Sequence, residues 1–224
     1  MLACNYAMAA DRVRYALDPV HTRVMFAVEH AGFSKAIGTV SGSTGALVFD
    51  ADDWSVANVE VSVPLTRLDL GDEKWNRAVL ANNLLDADDH PVATFFSTRV
   101  EPVDAQHAAV YGTLTLHGVS NEVRLDVTFN ALKRHPLPPF RRTAGFSATT
   151  TLSRKAFGID AWPSVIGDSV ELRIEAEAVR AGRAGDNDDH DGSSTRKDGE
   201  PPDIETPSAE TTTPADATEP EPTP

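Results

Sequence analysis

The stretch 21-HTRVMFAVEH-30 decides the fold. Every second residue from Thr22 gives Val24, Phe26, Val28 and then His30, whereas the other register gives Arg23, Met25, Ala27 and Glu29. One side is apolar and ends in an imidazole; the other is mixed and wettable. A period of two with one dry side is the mark of an antiparallel strand that buries one face. The same alternation returns at Val59-Val61-Val63, at Val110-Gly112-Leu114-Leu116, at Val123-Leu125-Val127-Phe129 and at Val170-Leu172-Ile174-Ala176. With 13–18, 22–30, 36–49, 92–101 and 143–153, the pattern predicts eight or nine strands. In 92-VATFFSTRVE-101 both registers hold a phenylalanine, so the inward side is ambiguous there. His117-Gly118 and the series Gly38, Gly42, Gly45 read as turns or sharp bends.

One segment has a helical pattern, 71-GDEKWNRAVLANN-83. Asp72 and Glu73 suit the positive end of the helix dipole, and Trp75, Ala78 and Val79 share a stripe with Leu80 beside it. One short helix cannot cover the apolar sides of eight strands. Either two sheets face one another or one sheet closes on itself. A closed eight-stranded barrel is just filled by its side chains or holds one small ligand. The inward residues are mainly valine, leucine and glycine, which points to a cavity.

Charge separates the chain into parts. The sequence has 224 residues and a net charge of −14, of which residues 181–224 hold 12 Asp/Glu against 3 Lys/Arg. That leaves −5 for residues 1–180, and neither part has the basic face needed at a nucleic-acid backbone. The stretch 181–224 has seven prolines and few aliphatic side chains, and is expected to be a disordered acidic tail. Within it, Asn187-x-Asp189-x-Asp191-Gly192 has a partial likeness to a calcium loop, but Asp198 stands where a glutamate belongs and no helices flank it. A solvated acidic spacer is the preferred reading. Residues 1–10, MLACNYAMAA, are read as the end of a signal segment, with Ala7-Met8-Ala9 as a cleavage-like site and export to the periplasm as the expectation. A lipoprotein signal at Leu2-Ala3-Cys4, or a plain cytoplasmic N-terminus, are the alternatives. Cys4 is the one cysteine, so no intrachain disulfide forms. No run of about 18 apolar residues occurs.

The chain resembles the YceI-like family from about Tyr15 to Ala178. The residues that carry the likeness are Tyr15-Ala-Leu-Asp18-Pro19-x-His21-Thr22 followed by Phe26-x-Val28-x-His30, then Gly38, Phe49-Asp50 and Pro91-x-x-x-Phe95-x-Ser97. Gly112-x-Leu114-Thr-Leu-x-Gly118-Val119 and Arg154-x-x-Phe157-Gly158 follow. The chain departs from the family in two places. Arg77-Ala78-Val79-Leu80 stands where an Arg-Asp-x-His-Leu run is common, and His90-Pro91 replaces Tyr-Pro. The resemblance implies an extended, lipocalin-like, eight-stranded antiparallel barrel over residues 11–180, with the helix capping one end. It also implies an apolar bore for a long-chain polyisoprenoid lipid, an isoprenoid quinone or polyprenyl phosphate.

On that reading the bore-lining residues are Val24, Phe26, Val28, Val59, Val61, Leu114, Leu125, Val127, Leu172 and Ile174, with Trp75 and Leu80 closing one end. His30, inward at the rim, would donate a hydrogen bond to a ligand head group or satisfy a backbone carbonyl or buried water. His21, near Asp18, is read as a local structural residue. No three histidines or carboxylates are spaced as a zinc site, and Ser41-Gly42-Ser43-Thr44-Gly45 is not a nucleophile elbow. The expectation is a carrier with no cofactor, no catalytic residue and no resident metal. The rivals are a barrel enzyme with His30 as general base and an interaction module working through its acidic tail.

Overall fold

The alternating segments become strands that close on themselves. The computed structural model describes residues 13–182, so the expectations for 1–10 and for the tail beyond 182, its calcium-like run included, lie outside the described residues. Eleven hydrogen-bonded strands form: β1 (Arg14–Leu17), β2 (Arg23–His30), β3 (Ser34–Ser41), β4 (Thr44–Val48), β5 (Asn58–Pro64), β6 (Leu68–Asp69), β7 (Val92–Pro102), β8 (His107–Leu116), β9 (Val119–Arg134), β10 (Arg142–Ser153) and β11 (Ile166–Arg180). Their order is β1-β4-β5-β7-β8-β9-β10-β11, and β11 pairs back with β1. The ring is an eight-stranded antiparallel barrel.

Three of the eight staves are interrupted. β1 and β2 form one stave broken at 18–22, where the Asp18 carboxylate accepts from the amides of Val20 and His21. β3 and β4 form the next, so the expected strand 36–49 is two strands. Gly42 adopts φ +77 at the break, a conformation that a side chain would strain. β5 and β6 form the third, joined by a 3-10 turn at Leu65–Arg67. The closing seam is shared: β11 pairs with β1 through Leu17↔Ala178 and with β2 through Phe26↔Leu172.

A bulge between Ser97 and Arg99 resolves the ambiguity of β7. Before it Ala93 and Phe95 face inward and are buried, while Phe96 is 46% exposed; beyond it Val100 takes the inward side. One extra residue reverses the register, so both phenylalanine registers are real in different halves of the strand. The tight turn at His117-Gly118, with φ of 53 and 72, joins β8 to β9 as a two-residue hairpin.

The helix α1 spans Glu73–Leu80, shorter than the expected 71–83. Asp72 caps it by accepting from the amides of Lys74 and Trp75. It stops because the chain folds back at once: the amides of Leu84 and Asp86 donate to Ala81, and that of Leu85 to Val79.

Apolar packing concentrates at the two ends of the barrel. At one end Tyr15, Leu47, Phe49 and Trp54 are buried with Ala108, Ala144 and Ala178. Phe49 packs within 5.1–5.4 Å, centroid to centroid, of Trp54, Phe129 and Phe146, in edge or tilted contacts that add to their area burial. These rings form a plug. At the other end Leu84, Leu152, Phe157 and Ile159 cluster beneath α1 and a 3-10 turn, Arg154–Phe157.

Two predictions follow from this frame. A Cβ on Gly45 would run into the Glu60 carbonyl oxygen on the neighbouring strand, which cannot swing aside. Gly45→Ala should therefore lose about 1–3 kcal/mol in urea unfolding, the usual cost of overpacking. The Asp168 carboxylate accepts from the Lys155 amide and the Ser153 hydroxyl, bonds that hold its pKa below the usual carboxylate value. Because the folded-state pKa is depressed, its contribution to stability is present above the unfolded value and is lost as pH falls through the folded one. Carboxyl NMR should show Asp168 titrating below an ordinary aspartate, and Asp168→Asn should remove part of the acid-side fall in stability.

Candidate functional site

Between the plug and the helix end runs a cavity of about 570 Å³. That falls inside the roughly 300–1,000 Å³ of pockets that enclose small-molecule ligands. Its wall is almost wholly hydrocarbon, because the period-two alternation sends one valine or leucine inward every second residue on every stave. Val24, Phe26, Val28, Val59, Val61, Leu114, Leu125, Val127, Leu172 and Ile174 all stand on this wall. The register places Val24 beside Ile174, and Phe26 beside Leu172 on one flank and Gly38 on the other. At position 38 a side chain would overlap the Phe26 ring, so that ring occupies the space the glycine leaves.

The mouth is marked by residues that both line the cavity and meet solvent: Trp75 (44% exposed), Trp162 (51%) and Val165 (40%). His30 stands among them at the end of β2, its ring 5.5 Å from that of Trp75 and tilted by 45°. Among the described residues the His30 imidazole has no hydrogen-bond partner in the protein, and it packs against an indole instead of a backbone carbonyl. Leu80 is a correction. The helix stripe sends Trp75, Ala78 and Val79 to the cavity, but Leu80, one residue or about 100° further round, packs with Leu65, Ala87 and Ala93. It supports the helix from the side and does not close the bore.

The fold also brings to the cavity residues that periodicity did not single out. Leu84, Leu85 and Ile159 come from irregular segments, and Phe49, Trp54 and Phe146 from the plug. Ser43 is fully buried, and neither its hydroxyl nor the Trp54 indole N–H has a hydrogen-bond partner among the described residues. Arg154 is 5% exposed; its guanidinium donates to the carbonyls of Gly167, Ile159 and Ile166 at 2.7–2.8 Å. These bonds staple the loop 159–167 over the helix end, since a buried cation must be matched by strong acceptors. The Arg154-x-x-Phe157-Gly158 run was the sequence signal for this staple.

His21 is where the sequence placed it, its Nδ1 2.8 Å from Asp18 Oδ2. That bond raises the His21 pKa, while the amides of Val20 and His21, with His21 itself, hold Asp18 low against its partial burial. Across the barrel seam the cluster acquires a member the spacing could not supply, Glu177 of β11.

The comparisons with known proteins agree with this geometry. The model of the YceI-like domain matches residues 15–178. A UPF0312 protein of Pseudomonas savastanoi pv. phaseolicola is 32% identical over 182 residues, covering 80% of this chain and 92% of that protein. The crystal structure of Burkholderia cenocepacia BcnA superposes with a TM-score of 0.65 at 21% identity, covering 72% of this chain and 98% of that one. A polyisoprenoid binding domain from Saccharophagus degradans superposes with a TM-score of 0.57 at 15% identity, covering 75% and 98%. An eight-stranded barrel of this register, matched by the family model over nearly all of its length, makes the chain a member of the YceI-like family.

Proposed function

We propose that the protein is a non-enzymatic carrier that holds one long-chain polyisoprenoid lipid, an isoprenoid quinone or a polyprenyl phosphate, in the bore of its barrel. The observation that carries this reading is the apolar cavity of about 570 Å³, plugged by aromatic rings at one end and open past Trp75 and Trp162 at the other. Such a bore suits a slender hydrocarbon. At roughly 25 cal/mol per Å² of apolar area removed from water, a prenyl tail drawn along the wall gains a large driving force, offset in part by its own ordering. The Saccharophagus degradans neighbour, named for polyisoprenoid binding, supports the same ligand class. A chain longer than the bore leaves its end at the mouth, where the indoles of Trp75 and Trp162 offer an apolar rim to a membrane surface during exchange. Export to the periplasm remains part of the proposal.

The rival reading of His30 as a general base lacks a partner. No described carboxylate hydrogen bonds to the imidazole, so nothing orients it or stabilises its protonated form as an acid–base pair requires.

Native mass spectrometry of unrefolded protein from its own host tests the carrier. One isoprenoid should dissociate per chain, and organic extraction should recover it. His30→Gln should retain the lipid, as should deletion of 181–224. Protein that emerges empty and does not take up a prenyl quinone or polyprenyl phosphate from vesicles would contradict the proposal.

A further inference from the structure

Outside the bore, the seam of the barrel gathers a second set of polar groups. Asp18 and His21 lie in the break between β1 and β2, and Glu177 lies on β11 beside them; one ligand atom from each falls within 4.8 Å of the others. The arrangement has an internal control in the same chain. Asp104 and His107 form a similar Asp-x-x-His turn, with Nδ1 2.9 Å from the carboxylate, but no third ligating residue joins that pair among the described residues. At the seam two more groups converge. Glu177 is partly buried, and although its backbone carbonyl accepts from the Asp18 amide and the Thr22 hydroxyl, its carboxylate accepts no hydrogen bond from any described residue. His135, in the loop between β9 and β10, brings its ring centroid to 6.5 Å from that of His21.

We propose that His21, Glu177 and His135 form a binding site for a divalent transition-metal ion of the zinc class, with Asp18 holding the His21 ring in place. In the tautomer with the proton on Nδ1, His21 Nδ1–H donates to Asp18 Oδ2, which leaves the Nε2 lone pair for a metal; a carboxylate behind a ligating imidazole is the usual way such a ring is fixed. His135 Nδ1 lies 3.2 Å from the Leu137 amide, from which it accepts, and 3.3 Å from the Leu137 carbonyl, so ligation through Nε2 calls for the tautomer in which Nδ1–H donates to that carbonyl instead. Zn–N bonds of about 2.0–2.1 Å put two imidazole centroids on one ion about 5–6 Å apart, against 6.5 Å here, so His135, which lies outside the 4.8 Å group, moves inward to ligate. Two imidazoles and one carboxylate, with water in the fourth position, suit zinc. Calcium would call for six to eight oxygens, and magnesium for octahedral oxygen and water. The partly buried Glu177 carboxylate then has a cation to answer its charge.

The consequence is mechanical. The ion would join the β1–β2 break, the C-terminal half of β11 and the β9–β10 loop, three separate pieces of chain at the plug end of the barrel. Metal that binds only the folded form raises the unfolding midpoint.

The test is calorimetric titration of the full chain, stripped with a chelator, with zinc chloride at neutral pH, followed by thermal unfolding with and without the metal. The expected result is one zinc per chain and a higher midpoint. His21→Gln, Glu177→Gln and His135→Gln should each weaken binding at least tenfold and abolish the rise in midpoint, while His107→Gln leaves both unchanged. Far-ultraviolet dichroism of the metal-free variants checks that each is folded, and His135, in a loop, carries no strand pairing that its loss could disturb. Absence of saturable binding, or full affinity retained in any one of the three variants, overturns the assignment. Retention in all three would place the zinc elsewhere, on the acidic residues or His190 of the tail.

Discussion

Everything in this molecule depends on the outer edge of β11. That fifteen-residue strand carries one neighbour, β10, along one edge and two, β1 and β2, along the other. By pairing with both halves of an interrupted N-terminal stave it closes the sheet and leaves no long unpaired edge at the seam. Closure fixes which way every side chain points. Once the ring is shut, alternation leaves each inward residue only the interior, and a ring of eight staves encloses more space than valines and leucines fill. The cavity is thus a consequence of closure plus slender side chains.

The ends are where larger residues are used. Phe49, Trp54, Phe129 and Phe146 stop one end with edge and tilted ring contacts, and α1 with the Arg154-stapled loop partly covers the other. The polar groups near the bore are disposed unequally. The Arg154 guanidinium is occupied by three carbonyls, whereas the buried Ser43 hydroxyl and Trp54 indole N–H have no hydrogen-bond partner among the described residues. Unsatisfied buried donors cost about 1–3 kcal/mol each, so a polar group or water that reaches them is favoured by a similar amount.

The barrel was legible from the sequence because its signal is local. Val24-Phe26-Val28 and Val123-Leu125-Val127 state their inward faces within a few residues, and the same residues stand on the cavity wall. The strands that read poorly have physical reasons. Phe95 and Phe96 could not be sorted because a bulge between Ser97 and Arg99 reverses the register midway. The strand 36–49 looked continuous because a break at one glycine costs the pattern almost nothing. Leu80 was misplaced because a helix ending one turn after its stripe begins offers little contrast between neighbouring faces. The plug and the Asp18–His21–Glu177 cluster were out of reach for another reason: their members come from segments far apart in the chain, and only closure of the ring makes them neighbours.

The carrier account stands or falls on what occupies the bore. The most direct measurement is the electron density of crystals grown from protein isolated from its native host without unfolding. The account requires a continuous ribbon of density threading from the Phe49–Trp54 plug toward the Trp75–Trp162 mouth, of a length that matches a prenyl chain. A bore collapsed by inward rotation of its wall, with no channel wide enough for a hydrocarbon, would contradict it.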